Sequence, residues 1–252
     1  MADTDSLPTE IRSPVPGAVA LVTGGNSGIG FETARQLLGH GVTVWIGARD
    51  LGKGQRAADE LGSAVRVVQL DVTDPVSVAE AVRRIGELDI LVNNAGVNPG
   101  GEDINATTLE QLRNAYETNV FGLISVTQGF LPALRRSAHP RIVNVSSGTG
   151  SLTWNSSPNP QFDWERVKGG GLAYRTSKTA VNAITMLTAQ ALGDDIKVNA
   201  LAPGLRLTNL IAGMSVGGDP AEAATGAVRL ALLPDDGPTG ALWSWDGIRA
   251  PW

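Results

Sequence analysis

"TGGNSGIG", residues 23–30, sits between the short apolar run "AVALV" at 18–22 and a helix-period segment over 28–40. A strand that ends in a glycine turn and runs straight into a helix is the opening unit of a βαβ fold. Gly24, Gly28 and Gly30 give the spacing GxxxGxG. Glycines there permit a tight turn, a close backbone approach to a pyrophosphate and tight helix–strand packing. The helix start behind them offers unpaired N–H groups and a partial positive charge. Asn26, Ser27 and Ile29, between the glycines, complete the candidate phosphate loop. The alternative is a glycine-rich βα turn without a ligand.

The rest of the chain repeats the alternation. Apolar runs recur at 42–47, 65–71, 88–94, 141–147, 196–204 and 240–247. Helix-period segments lie at 50–61, 75–86, 108–131 and 174–193. Continuous Val/Ile/Leu runs fit strands buried on both faces of a parallel sheet, and the alternation fits right-handed crossovers. The expectation is one α/β domain over 17–252, a doubly wound parallel sheet in three α/β/α layers. Residues 1–16 read as a flexible leader. Glycine-rich and polar clusters follow the strand ends, where such sheets bind ligands.

Composition excludes several function classes. Twenty basic and 25 acidic residues give a net charge of −5, with no Lys/Arg run, so no nucleic acid or membrane surface is expected as partner. There is no cysteine, and His40 and His139 have no ligand spacing, so no metal site is expected. No secretory signal and no apolar stretch of about 20 residues is present, which points to a cytoplasmic location.

The end of the second strand, "WIGARD", selects the cofactor. An acid there would bond the ribose 2′-OH of NAD. Here Arg49 stands in place, and a guanidinium matches a 2′-phosphate in charge and geometry. NADP(H) is therefore expected, unless Arg49 is only a solvated surface residue. Asp50 can cap the next helix. Asp71, with Val72 beside it in "DVTD", either accepts from the adenine amino group or merely forms the turn before Pro75.

"LAYRTSKTA", 172–180, carries Tyr174 and Lys178 four positions apart, on one helix face. An ammonium beside a phenol favours the phenolate, and such a tyrosine can act as acid or base on a carbonyl/alcohol pair. "NVSSGTG" supplies Ser146 and Ser147 at a neighbouring strand end. A hydroxyl there can stabilise charge on a carbonyl oxygen, or both serines can simply satisfy loop backbone.

Taken together, TGGNSGIG, DVTD, NNAG, NVFG, SS, YRTSK and PGLRLT resemble the short-chain dehydrogenase/reductase family over roughly residues 17–247. The resemblance implies a Rossmann fold and nicotinamide-dependent carbonyl/alcohol chemistry on a small-molecule substrate. It implies Tyr174 as acid/base and Lys178 on the nicotinamide ribose, lowering the tyrosine pKa. It implies Ser147 on the substrate oxygen and Asn119 fixing a helix bend and a relay water. Asn94, Ala95 and Gly96 fall at the adenosine side, and Pro203, Gly204 and Thr208 beside the nicotinamide.

The chain departs from that pattern in three places. Ser147 and Tyr174 are 27 positions apart, and the extra segment resembles the short end of an insertion in carbonyl reductases and menthone-type reductases. Its Trp154, Phe162 and Trp164 either roof a substrate pocket or anchor a surface loop. Arg206 stands where the family usually has Val or Ile, and an arginine there can hold an anionic substrate group. "MSVGGDPAE" is short for a substrate lid. The insertion favours a monomer and the family habit a homo-oligomer, which leaves the assembly open. The expected activity is NADPH-dependent reduction of a ketone or aldehyde in secondary metabolism. An alcohol dehydrogenase, a non-redox cyclase or dehydratase and an NADP(H) sensor remain alternatives.

Overall fold

The computed structural model describes residues 5–8, 17–210 and 215–252. β1 (Val19–Thr23), β2 (Thr43–Ala48), β3 (Val65–Gln69), β4 (Ile90–Asn93), β5 (Arg141–Val145), β6 (Lys197–Ala202) and β7 (Leu242–Ser244) form one parallel sheet. A short β8 (Arg249–Ala250) closes its edge antiparallel to β7. The order is 3-2-1-4-5-6-7-8. The order reverses between β1 and β4, so a crevice opens at their carboxyl ends.

Alternation along the strands makes two cores. Ala20, Val22, Val44 and Ile46 face a layer with Ala34, Leu37, Ala57, Ala227 and Val228. That layer comes from α1 (Gly28–Gly39), α2 (Leu51–Leu61) and α9 (Pro220–Ala231). Leu21, Trp45 and Leu91 face Val78, Val126, Phe130 and Leu134 on the other side. Those belong to α3 (Pro75–Ile85) and α5 (Leu123–Leu134), joined in that layer by α8 (Leu172–Leu192). Burying apolar area on both faces accounts for the continuous apolar runs.

The helix starts carry their own signals. The side chain of Asp50 accepts from the Lys53 N–H at 3.0 Å, as expected of a cap for α2. Asp74 caps α3 with Pro75 at its first position, and Asp219 with Pro220 does the same for α9. Thr108 and Gln111 form a reciprocal capping box on α4 (Leu109–Tyr116).

Several readings change. The single helix expected over 108–131 is α4, then a π-helical turn at Glu117–Gly122, then α5. The helix α9 and the strand β8 were not expected. Leu7, within the expected mobile leader, is buried, and its N–H donates to the Gly247 carbonyl at 2.8 Å. Residues 5–8 are thus docked against the β7–β8 edge rather than free. Among the described residues no helix is long and apolar enough to cross a membrane.

Candidate active site

A cleft of about 930 Å³ lies over the β1–β4 switch point. Its floor is the glycine loop. Gly24 and Gly28 have φ of 63° and 55°, and an added Cβ on Gly24 would come within 3.1 Å of the Ala95 backbone. Gly28 leaves equally little room beneath Thr208. Ser27 stands at the N-cap of α1 in extended backbone and its side chain makes no cap hydrogen bond. The first N–H groups of α1 are therefore left without a side-chain cap at the cleft floor, the arrangement that binds a pyrophosphate. Asn26 and Ile29 also line this end.

Gly30 has a different duty. A Cβ there would sit 2.4 Å from Asn94 Nδ2. Asn94 in turn donates to the Thr23 carbonyl at 2.9 Å and the Gly24 carbonyl at 3.3 Å. Gly30 thus packs α1 against the end of β4 and does not line the cleft, whereas Asn94, Ala95 and Gly96 do.

Arg49, Lys53 and Arg56 bring three cations to one end of the cleft, with Glu60 behind them. The sequence reading stopped at Arg49. Lys53 and Arg56, three positions apart on α2, share a helix face, and that spacing was legible. Asp71 and Val72 line the same end. Asp71 accepts from the Thr73 N–H at 3.0 Å and its hydroxyl at 2.7 Å, which is the turn-forming role. Burial raises the Asp71 pKa, but the Thr73 bonds and the Arg49 charge outweigh it, and the carboxyl sits below its usual value.

At the other end lie Tyr174 and Lys178, on successive turns of α8. Lys178 Nζ is 5.7 Å from the centre of the Tyr174 ring and donates to the Val145 carbonyl at 2.8 Å. Burial pushes the Lys178 pKa down to about 8. Tyr174 keeps part of its side chain open to the cleft, yet burial pushes its pKa up to about 12, against a hydrogen bond with Ser147. Desolvation is the largest influence on the phenol and outweighs the lowering expected from Lys178. Desolvation dominates both groups, leaving a neutral phenol beside a weakly held ammonium.

Lys178 therefore strains the fold. Its charged form is disfavoured only when folded, so the penalty is complete below about pH 8 and fades as pH rises towards its ordinary value of 10.5. Lys178→Met is expected to raise stability at pH 7 by about 1–2 kcal/mol after loss of the Val145 hydrogen bond. Urea unfolding at pH 7 and pH 10 checks this, with a smaller gain expected at pH 10.

Ser147 caps the short 3₁₀ turn Gly148–Gly150 and accepts from the Thr149 N–H at 3.2 Å. Ser146, not Ser147, is the serine that lines the cleft, but its hydroxyl is spent on the scaffold, donating to Asn182 Oδ1 at 2.5 Å. Asn119 is buried in the π-helical turn. Its Oδ1 accepts from the Val97 N–H at 2.8 Å, and its Nδ2 donates to the Val97 carbonyl at 3.0 Å and to Ser177 Oγ at 2.9 Å. Asn119 thus ties the end of β4 to α8 and bends the helix pair, without lining the cleft. Pro203 and Thr208 line the cleft and Gly204 forms the turn between them at φ 69°. Val97, Asn98, Thr118 and Asn209 line it too and were not foreseen.

Arg206 does not face a substrate. It is buried, pairs with Glu222 Oε2 at 2.7 Å, donates to the Pro203 carbonyl at 2.8 Å, and stacks 4.3 Å from the Trp245 ring centre. It fastens the loop after β6 to α9 and the C-terminal edge. Arg206→Val is expected to lower stability by about 2 kcal/mol, read as a fall in melting temperature of about 4–8 °C, with substrate charge preference unchanged.

The insertion holds two short helices, α6 (Leu152–Asn155) and α7 (Trp164–Val167), and resolves in favour of anchoring. Trp154 is buried with Ala200, Ala202, Leu242 and Ala250, and Phe162 and Trp252 pack on that cluster. The Trp164 side chain and residues 211–214, of which Met214 opens the short segment "MSVGGDPAE", lie outside the described residues. Among the described residues no group of three or more His, Cys, Asp or Glu can hold a metal.

Residues 18–160 match the family model described as short chain dehydrogenase. Salutaridine reductase of Papaver bracteatum is 34% identical, covering 92% of this chain and 95% of its own. (−)-Isopiperitenone reductase of Mentha piperita is also 34% identical, covering 92% and 97%. The solved RhlG/NADP complex of Pseudomonas aeruginosa superposes with a TM-score of 0.80 at 28% identity, over 95% and 98%.

Proposed function

The chain is an oxidoreductase of the short-chain dehydrogenase/reductase family, and from that premise we propose that it reduces a ketone or aldehyde with NADPH. NADPH, when bound, supplies the hydride to the carbonyl carbon. Tyr174 gives its phenolic proton to the carbonyl oxygen, yielding the alcohol. Ser147 holds that oxygen, and Lys178, still cationic at neutral pH, favours the phenolate left behind.

The observation that carries this reading is the placement of the Tyr174 phenol in the cleft beside Lys178, whose ammonium is 5.7 Å from the ring centre. A phenol protonated at neutral pH is ready as an acid, whereas alcohol oxidation needs it as a phenolate. The glycine cradle and the uncapped start of α1 suit a dinucleotide, and the three cations beyond them suit a 2′-phosphate. The substrate is proposed as medium-sized and partly apolar, in secondary metabolism. Two of the similar proteins carry the names of reductases of salutaridine and isopiperitenone. The test is titration with NADPH and NADH, then loss of reduced-nicotinamide absorbance over a panel of ketones and aldehydes. Tight NADPH binding without consumption on any carbonyl would overturn the reading.

A further inference from the structure

The segment between Ser147 and Tyr174 does more than cover a surface, because one of its side chains joins both arms of the site. The helix α6 opens the insertion and ends on Asn155. Asn155 Nδ2 donates to the carbonyls of Thr149 and Ser151, each at 2.7 Å. Its Oδ1 accepts from the guanidinium of Arg175, the residue after Tyr174. Arg175 also donates to the Gly170 carbonyl at 2.8 Å, and burial lowers its pKa. On the other arm, Ser147 Oγ shares a 2.8 Å hydrogen bond with the Thr149 hydroxyl.

Ser147, Thr149, Asn155, Arg175 and Tyr174 are thus linked without a break, by four side chains and one peptide bond. The amide of Asn155 is filled at both ends, two donated bonds and one accepted, which only a short carboxamide can satisfy here. The insertion also lies directly on the serine turn, since a Cβ on Gly148 would come within 2.9 Å of the Trp154 ring. The far end of that turn is held separately, where Thr179 donates to the Gly150 carbonyl at 2.9 Å. Asn155 fixes the near end.

We propose that Asn155 is a positioning residue for the reaction, holding the Ser147 turn and the Tyr174 end of α8 in one geometry. This rests on the reductase reading above. Small misplacements of reacting groups lower rates steeply, and here the pair to be kept in register comes from a loop and a helix 27 positions apart.

The test uses the full chain with Asn155→Ala and with Asn155→Asp. The aspartate keeps an acceptor for Arg175 but cannot donate to the Thr149 and Ser151 carbonyls. In a Tyr116→Phe background Tyr174 is the sole tyrosine, so its ¹³C-labelled phenol carbon gives a single NMR resonance. Both variants are expected to lose about tenfold or more in kcat with NADPH affinity unchanged. In both, the Tyr174 resonance is expected to move as the Ser147 turn shifts against the start of α8. Unchanged kcat, an unmoved resonance, or a kcat loss matched by loss of NADPH binding would overturn the proposal. A wild-type chain that reduces no carbonyl would instead sink the reductase reading, and the resonance alone would then decide the role of Asn155.

Discussion

Tyr174→Phe is expected to lower kcat/KM for carbonyl reduction by about 10²–10⁴-fold while NADPH affinity stays within a few fold. The substitution removes one oxygen and keeps the ring, so the 5.7 Å contact with Lys178 and the packing of α8 remain. Ser147 retains its bonds to Thr149 and stays in place. What disappears is the phenolic proton that faces the cleft beside Lys178. Single-turnover reduction with saturating NADPH, alongside a binding titration, separates the two effects, and unchanged turnover would refute the role. The wild-type pH dependence has a definite sign. With the phenol at about 12, reduction does not lose its acid across the neutral range. Oxidation of the product alcohol needs the phenolate and gains rate as pH rises.

The frame of this molecule was legible because burial on both faces writes itself as uninterrupted apolar runs. β3 through β7 fall within the runs read from the sequence, β1 and β2 pass theirs by one residue, and Asp50, read as a cap, sits at the start of α2. α9 escaped notice because small residues, Ala223, Ala224, Gly226, Ala227 and Ala231, fill most of its buried face and leave only Val228 and Leu230 as a short apolar stripe. β8 is two residues long, below any periodic signal. Residues 5–8 look like a polar leader because only Leu7 is inserted.

In the site, residue types and spacing located Tyr174, Lys178, Ser147 and the glycine loop, but not what each one touches. Gly30 and Asn94 carry motif positions yet spend their contacts on each other, a long-range pairing of α1 with β4. Arg206 reads as a free cation in sequence and is bound to Glu222 and Trp245, partners 16 and 39 positions away. The sign of the Tyr174 shift was missed for the same reason. A neighbouring ammonium is visible as i+4 spacing, whereas desolvation depends on everything that packs around it.

Arg49→Asp is expected to weaken NADPH binding by about 100-fold and to leave NADH within a few fold. A charge-assisted bond to a phosphate contributes about 1.5–3 kcal/mol, which is about 10–100-fold in affinity, and a carboxylate in its place adds repulsion of the 2′-phosphate. Lys53 and Arg56 remain at that end of the cleft and limit the loss. Asp50 does not already play the acid for NAD, because the Lys53 N–H on its carboxylate, more than any other influence, keeps it charged as the cap of α2. The carboxylate introduced by the substitution would stand at the end of β2, where an acid bonds a ribose hydroxyl. Removing Arg49 also withdraws one of the charges that hold Asp71 ionised, so Arg49→Ala serves as the control for that neighbour. The difference between the cofactors should shrink as salt is raised, since this end of the cleft is open to solvent and its charges are screened. Equal weakening of NADPH and NADH would show that Arg49 shapes the cleft without reading the phosphate, and the preference would then have to come from Lys53 and Arg56.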